Sequence, residues 1–269
     1  MKKKKLNKVI INQNKTKERG NLIYLKNIKR YGIKRLSQKM VLFLLLVMIA
    51  LASILFSPLF SAKHINVTNL EKYTDTEICQ KIGLFPNTNI ILFGKRTAVK
   101  KLKLDPYIAS AEVSMKLPDT ISIKINERKV RGYVPYMGAY LYIDEYGRVL
   151  DTQTFFAKSL PIVNGLQFNH FQLGELLQVD NPQSFDVVVT IAQMMTKYGL
   201  LDMVVKIDVS NPKNVHAYVN QVDIRLGDIK DCDQKIRIMA EIMKTIPQED
   251  RGTLDLSDIT RPIVFQYLT

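Results

Sequence analysis

The stretch "AEVSMKLPDTISIKINER", residues 111–128, decides how the fold of this chain is interpreted. Apolar residues alternate with polar ones on either side of a Leu-Pro-Asp-Thr segment, at Val113, Met115 and Leu117 and again at Ile121, Ile123 and Ile125. A period of two is typical of strands with one apolar face. Proline followed by aspartate favours the middle of a turn. The stretch therefore predicts two strands joined by a turn at residues 117–120.

The residues before this pair predict a strand and two helices. "HINVTNL", residues 64–70, alternates like a short strand. A helix is predicted to begin at Thr74, which forms a capping-box pattern with Glu77, and to end at Gly83. A second helix follows between residue 95 and Pro106. The order strand-helix-helix-strand-strand over residues 64–128 gives three strands with one apolar face and two helices to cover it.

The residues after 131 predict a second, mixed unit without a flexible linker before it. A hairpin with Asp144–Gly147 in its turn is followed by a helix that begins at Asn181 and ends at Gly199. Two strands around residues 220–221 and a helix with one apolar stripe come next. The stripe consists of Ile229, Cys232, Ile236, Met239, Met243 and Ile246. "GTLDLSD" and "PIVFQYL" predict the last two strands, which gives an α+β fold.

An apolar run from Met40 to Phe60 precedes both units. Its 21 residues would span roughly 30 Å as a helix, the thickness of the hydrocarbon core of a bilayer. Ala50 and Ala52 have the small-x-small spacing of a signal-peptidase site, so a cleaved signal is the alternative. The run continues eight residues past Ala52, which favours an uncleaved transmembrane helix over residues 40–60.

Basic residues are concentrated before this run. The first 39 residues contain 14 Lys and Arg and one acid, Glu18, so they hold +13 of the net charge of +14. Basic flanks stay on the cytoplasmic side of a membrane, which predicts a cytoplasmic N-terminus. Binding to anionic lipid would accompany the same charges. A nucleic-acid-binding arm is the alternative, but no nucleic-acid partner is expected so close to an anchor.

No residue pattern indicates catalysis, a cofactor or a metal. The sequence lacks G-x-S-x-G and H-E-x-x-H motifs, and its three histidines have no metal-ligand spacing. Asp144 and Glu145 are interpreted as part of a solvated turn. Cys79 and Cys232 are predicted to be buried and reduced, with a disulfide as the alternative.

The motifs above, in this order behind a basic tail and an anchor, resemble those of the FtsQ/DivIB family of bacterial cell-division proteins. "AEVSMKLPDTISIKINER" is similar to the family's strand–Leu-Pro-x-Thr–strand–Glu-Arg signature, and "YIDEYGRVLD" to its hairpin. One departure is Lys129, where many members have proline. The resemblance implies a tail at 1–39, a transmembrane helix at 40–60, an extracytoplasmic POTRA domain at 62–130 and a β-domain at 131–269.

The resemblance also implies a role and partners. The chain would be a non-catalytic scaffold at the division septum that binds the bitopic proteins FtsL and DivIC (FtsB in other bacteria), and through them the septal peptidoglycan synthases. Two other classes stay open: a membrane-anchored cell-wall enzyme and a POTRA-bearing secretion component. Arg128, Asp144 and Gly147 are assigned to turn formation and fold support.

The last predicted strand is the candidate binding site. Its residues Ile263, Val264, Phe265, Gln266 and Tyr267 carry no charge. An uncharged strand at a sheet edge invites another chain to add a strand. The alternation places Ile263, Phe265 and Tyr267 on one face. The sequence leaves open whether this strand lies at an edge or is paired on both sides.

Overall fold

The computed structural model describes residues 37–156 and 159–268. The predicted basic tail, residues 1–39, lies outside the described residues except for its last three. Two compact units divide between Ser57 and Pro58, and each is described by itself.

The first unit contains helix α1, Gln38–Leu55. The hydroxyl of Ser37 caps it by accepting a hydrogen bond from the Met40 amide at 3.4 Å. None of its residues is buried, and its apolar side chains surround the whole helix. With the following turn, Gln38–Phe60 contains an 18-residue window of mean hydropathy 2.9, and by length and composition the stretch suffices to cross a membrane. It is the one such candidate within the described residues.

The second unit starts with a three-stranded sheet of order β1-β3-β2. Its strands are β1 (His64–Thr68), β2 (Ile108–Lys116) and β3 (Thr120–Glu127). Strand β3 pairs in parallel with β1 and antiparallel with β2. Helices α2 (Asp75–Ile82) and α3 (Lys95–Lys103) lie between β1 and β2 in the chain. The predicted order of five elements is confirmed.

Local sequence signals fix the first of these helices. The Glu77 amide donates to the Thr74 hydroxyl at 3.3 Å, and the Thr74 amide donates to the Glu77 carboxylate at 2.7 Å. This reciprocal capping box is the predicted one. Gly83 ends the helix with a φ of 73°, a left-handed conformation that favours glycine. Ile78 and Ile82 then face the core with Ile121, Ile123 and Ile125 of β3.

One side chain of the opening stretch lies elsewhere than predicted. Val113 is buried and Met115 packs against the core, but Leu117 is 64% exposed. The strand ends at Lys116, so Leu117 belongs to the turn and no longer follows the strand alternation. The Leu117–Pro118 peptide bond is cis.

The chain continues into a nine-stranded sheet of order β12-β11-β10-β9-β8-β7-β4-β5-β6. Its strands are β4 (Gly132–Tyr136), β5 (Ala139–Ile143), β6 (Val149–Gln153), β7 (Ile162–Asn164), β8 (Val204–Asp208), β9 (Val215–Val219), β10 (Val222–Gly227), β11 (Gly252–Asp255) and β12 (Phe265–Tyr267). The pairs β4–β7, β7–β8 and β10–β11 are parallel, and the other pairs are antiparallel.

Two helices, α4 (Pro182–Tyr198) and α5 (Cys232–Met243), contribute to the large core of this sheet. The predicted caps of α4 are present, since Asn181 accepts the Gln183 amide at 3.0 Å and Gly199 is left-handed. Every member of the predicted stripe on α5 is buried or packs on the core. The sequence did not indicate that Lys235 is also buried.

The buried Lys235 ammonium has its own polar partners. It donates to the carbonyl oxygens of Leu226 at 2.8 Å and Asp228 at 3.0 Å. These bonds satisfy the charge where the helix packs against the end of β10.

The predicted boundaries between residues 62–130 and 131–269 stay a prediction.

Candidate partner-binding edge

The predicted site residues lie at one end of the nine-stranded sheet. Strand β12 pairs with β11, with Thr253 opposite Gln266 and Leu254 opposite Phe265. Within the described residues no strand pairs with its other side. The structure thus places Phe265–Tyr267 at a sheet edge, whereas Ile263 and Val264 precede the strand. Binding of a partner there stays a prediction.

The hydrogen-bond pattern shows which amides of β12 face outward. The Leu268 amide donates to the Arg251 carbonyl at 3.0 Å, so this pair is of the hydrogen-bonded kind. Such pairs alternate along an antiparallel ladder, which makes Gln266 and Thr253 the next one. The N–H and C=O of Phe265 and Tyr267 therefore point to the open side, where an added strand would bind.

Side chains around this edge divide between core and solvent. Ile263 and Phe265 are partly buried against the core, as their predicted alternation implies. Tyr267 follows the alternation, yet it is 67% exposed, and its ring meets Phe265 edge-on at 4.7 Å between centroids. Val264 and Leu268 are 58% and 65% exposed. The edge therefore offers three exposed apolar side chains beside its open backbone groups.

Sequence reasoning missed two residues of this edge. Leu268 was not among the predicted site residues. Gly252, opposite Tyr267, lies so close to the Phe265 ring and the Gln266 carbonyl that a Cβ would collide with both. A glycine within a strand pattern is a signal of close approach and could have indicated this contact.

The loop into β12 is held by short-range polar contacts. Asp255 accepts hydrogen bonds from the Ser257 hydroxyl at 2.6 Å and the Ser257 amide at 2.9 Å, which hold the pKa of the Asp255 carboxyl below its ordinary value. Asp258 accepts the Thr260 hydroxyl and amide in the same way, and its pKa is also lowered. Both carboxylates are therefore ionised at neutral pH and serve the turn.

The opposite edge of the sheet is partly covered. The Val149 amide of β6 donates to the Glu175 carbonyl at 2.9 Å, and the Gly174 amide donates to the Val149 carbonyl at 2.8 Å. Residues 174 and 175 thus bond the start of β6 much as a further strand would. This contrast singles out β12 as the more accessible edge.

Residues predicted to support the fold are joined at the hairpin of β5 and β6. Asp144 Oδ1 accepts the amides of Tyr146 and Arg148, both at 2.9 Å, and Arg128 Nη1 lies 3.4 Å from Asp144 Oδ2. Asp144 is only 1% exposed, so its interpretation as part of a solvated turn was wrong. Gly147 adopts a φ of 76°, and its Cα lies against the Phe185 ring, where no Cβ fits.

The described residues contain no cluster of three or more His, Cys, Asp or Glu suited to a metal ion. Both cysteines are free thiols; Cys232 is buried, whereas Cys79 is only partly buried, contrary to the prediction for it. Burial raises the pKa of the Cys232 thiol to about 11.

Two protein-family models match adjoining parts of the chain. A model described as POTRA domain, FtsQ-type, matches residues 60–128. A model described as cell division protein FtsQ/DivIB, C-terminal, matches residues 132–257. The chain belongs to the FtsQ/DivIB family. The first sheet with its two helices is thus an FtsQ-type POTRA domain, and β12 lies beyond the residues that the second model matches.

Curated relatives agree with this membership. Cell division protein DivIB of Clostridium botulinum (strain Hall) is 22% identical over 237 residues, which is 86% of this chain and 92% of the relative. DivIB of Listeria monocytogenes is 25% identical over 238 residues, covering 85% and 83%. DivIB of Staphylococcus aureus (strain MRSA252) is 31% identical over 96 residues, covering 36% and 22%. The FtsQ/DivIB chain is thus similar to DivIB proteins over most of its length.

A solved structure also matches. The major extracytoplasmic domain of the trans isomer of DivIB from Geobacillus stearothermophilus aligns with a TM-score of 0.29 at 14% identity, over 45% of this chain and 90% of that one. FtsQ/DivIB is a family of cell-division proteins and not a known enzyme family.

Proposed function

We propose that this FtsQ/DivIB chain is a non-catalytic, membrane-anchored scaffold of the division machinery. Its N-terminus lies in the cytoplasm and its two C-terminal domains lie outside, at the septum. It binds the extracytoplasmic parts of FtsL and DivIC/FtsB-type proteins and links them to septal peptidoglycan synthesis. Family membership supports a role in division, and the asymmetry of basic residues around the candidate membrane span supports the orientation.

The open edge of β12 is the observation that carries the proposal of a binding site. Ile263–Tyr267 hold no charge that would repel an incoming strand, and the backbone groups of Phe265 and Tyr267 face outward. A partner segment would add a tenth strand there. Val264, Tyr267 and Leu268 would provide apolar contacts on either side of it.

Proline and alanine variants of neighbouring residues test this site. Tyr267→Pro removes an outward amide and a side chain, and Tyr267→Ala removes only the side chain. Gln266→Ala is the matched control, because Gln266 bonds inward and its side chain is not part of the apolar surface. The assay is the affinity of the full chain, in nanodiscs, for the extracytoplasmic parts of FtsL and DivIC from the same bacterium.

The proposal expects weaker binding for Tyr267→Ala, still weaker binding for Tyr267→Pro and unchanged binding for Gln266→Ala. Circular dichroism must show that each variant keeps its fold. Gln266→Pro removes an amide that bonds to β11, so its circular dichroism spectrum shows the effect of losing the pairing between β11 and β12. Full affinity in a folded Tyr267→Pro variant would move the site away from β12. No binding by the unaltered chain would refute the scaffold role with these partners.

A further inference from the structure

Two loops of the POTRA domain are hydrogen-bonded to residues 60–63, where the candidate membrane span ends. Phe60 is the last residue of that span, and its carbonyl accepts the Ile90 amide at 2.8 Å. The Ala62 amide donates to the Thr88 carbonyl at 2.8 Å, and the Lys63 amide donates to the Asp119 carbonyl at 2.9 Å. The loop at residues 85–93 and the turn at 117–119 are thereby fixed beside the point where the chain leaves the span.

These two loops carry exposed apolar side chains. Phe85 and Leu92 are each 57% exposed, Ile91 is 38% exposed and Leu117 is 64% exposed. Ile90 between them is fully buried and anchors the loop in the core. Four exposed large apolar side chains thus lie on two loops that are hydrogen-bonded to the same four residues, 60–63, and exposed apolar side chains brought together in this way are typical of an interaction surface.

Helix α3 adds an unbalanced positive charge directly after this loop. Its nine residues contain Lys95, Arg96, Lys100, Lys101 and Lys103, all exposed, and no acid. None of the five forms an ion pair with another residue in the described part of the chain.

The start of this helix is unfavourable as an isolated structure. Gly94 provides no side-chain cap, and the first turn contains Lys95 and Arg96 with no acid. Positive charges at a helix N-terminus are repelled by the helix dipole. An anionic surface opposite the first turn would remove this repulsion and complement the charge of the helix.

We infer that this end of the POTRA domain docks on an anionic phospholipid surface. Phe85, Ile91, Leu92 and Leu117 enter the interfacial region, and Lys95 and Arg96 contact lipid phosphates. Basic residues next to exposed apolar side chains are typical of segments that bind at the membrane interface. The candidate membrane span is covalently joined to the POTRA domain and keeps the lipid surface within its reach. The inference concerns the lipid, and it stands whichever protein β12 binds.

A tryptophan reporter tests the inference, because the chain contains no tryptophan. The full chain with Leu92→Trp is placed in nanodiscs of zwitterionic lipid, with or without anionic phosphatidylglycerol, and with brominated acyl chains as quenchers. Val205→Trp is the control reporter, since Val205 is 54% exposed on β8 of the other sheet. We expect the Leu92→Trp emission to shift to the blue and to be quenched in anionic discs, and the control to stay unquenched.

Charge variants then test the basic residues. Each positive charge near an anionic surface changes the ratio of docked to undocked domain about fivefold, so Lys95→Gln with Arg96→Gln lowers it about 25-fold. Lys230→Gln with Lys244→Gln removes the same charge from exposed positions of the β-domain and should leave the quenching unchanged. Raising the salt concentration should also weaken the quenching of the Leu92→Trp reporter when the basic residues are left in place.

Three results would overturn the inference. The first is a Leu92→Trp reporter that is not quenched in anionic discs. The second is equal quenching in zwitterionic and anionic discs, which would exclude a role for the charge. The third is equal loss of quenching in both pairs of charge variants, which would reflect net charge and not this helix.

Discussion

Replacing Asp144 should show how much the buried hairpin carboxylate stabilises the β-domain. Its Oδ1 accepts the amides of Tyr146 and Arg148, both at 2.9 Å. A hydrogen bond to a charged group contributes about 1.5 kcal/mol at the lower end of its range, so two such bonds contribute about 3 kcal/mol. The contact with Arg128 is long, at 3.4 Å, and adds less than about 1 kcal/mol.

Two substitutions separate these contributions. Asp144→Ala removes the oxygen that accepts both amides and should cost about 3 kcal/mol, because the two amides lose their partner in a partly buried turn. For a domain pair of this size, that loss lowers Tm by roughly 6–12 °C. Asp144→Asn keeps one oxygen for both amides, but it makes both hydrogen bonds neutral and gives up the charge that faces Arg128. It should cost about 1–2 kcal/mol and lower Tm by roughly 2–8 °C.

Thermal unfolding of the full chain in detergent, followed by circular dichroism, measures both shifts. Hydrogen exchange of the Tyr146 and Arg148 amides shows whether the loss is local to the hairpin. Glu249→Ala, at an exposed position, is the control and should leave Tm unchanged. Equal shifts for Asp144→Ala and Asp144→Asn would refute the reasoning, because the ion pair and not the two amides would then dominate.

Two further predictions concern titratable groups. Burial alone would raise the pKa of Asp105, but hydrogen bonds, led by that from Lys81 Nζ at 2.5 Å, outweigh it and hold the pKa below its ordinary value. The ionised carboxylate therefore stabilises the POTRA domain at neutral pH, and this stabilisation is lost as the pH falls through the lowered pKa. Urea unfolding should show Asp105→Asn less stable than the unaltered chain at pH 7, with a smaller difference at pH 3; a constant difference would contradict this. Burial raises the pKa of the Cys232 thiol to about 11, so this thiol should react with iodoacetamide at pH 8 far more slowly in the folded chain than in the urea-unfolded chain. Equal rates in the two states would show that the thiol is accessible in the folded chain.

The POTRA domain could be predicted from sequence because its signals are local. A capping box, a left-handed glycine and a period-two run each depend on neighbours in the chain, and all three are present where expected. Three strands of the second sheet were not predicted, namely β4, β7 and β8. Strand β4 buries both Tyr133 and Val134, so it shows no alternation, and β7 has only three residues. Their formation depends on parallel pairing between distant segments, such as Val163 with Ile207, which no local pattern encodes.

Buried polar groups escaped prediction for a related reason. Asp144 and Lys235 belong to residue types that are mostly exposed, and both occur in sequence contexts typical of a surface. Asp144 is satisfied mainly by amides of its own hairpin, with Arg128 adding a contact from another segment, and the Lys235 ammonium is satisfied by donating to the Leu226 carbonyl of β10. Such partners become neighbours only after the fold is known.

Whether β12 lies at an edge was equally beyond the sequence, since an edge is a property of the whole sheet. Strand β12 has only three residues, which limits the number of backbone hydrogen bonds that the proposed partner could form with it. The open side offers the backbone groups of Phe265 and Tyr267, hence a handful of hydrogen bonds worth about 1 kcal/mol each. A micromolar complex requires about 8 kcal/mol, so these bonds are too few. On the proposed function, most of the affinity must come from apolar side chains beside the strand, and Val264, Tyr267 and Leu268 are the exposed ones available.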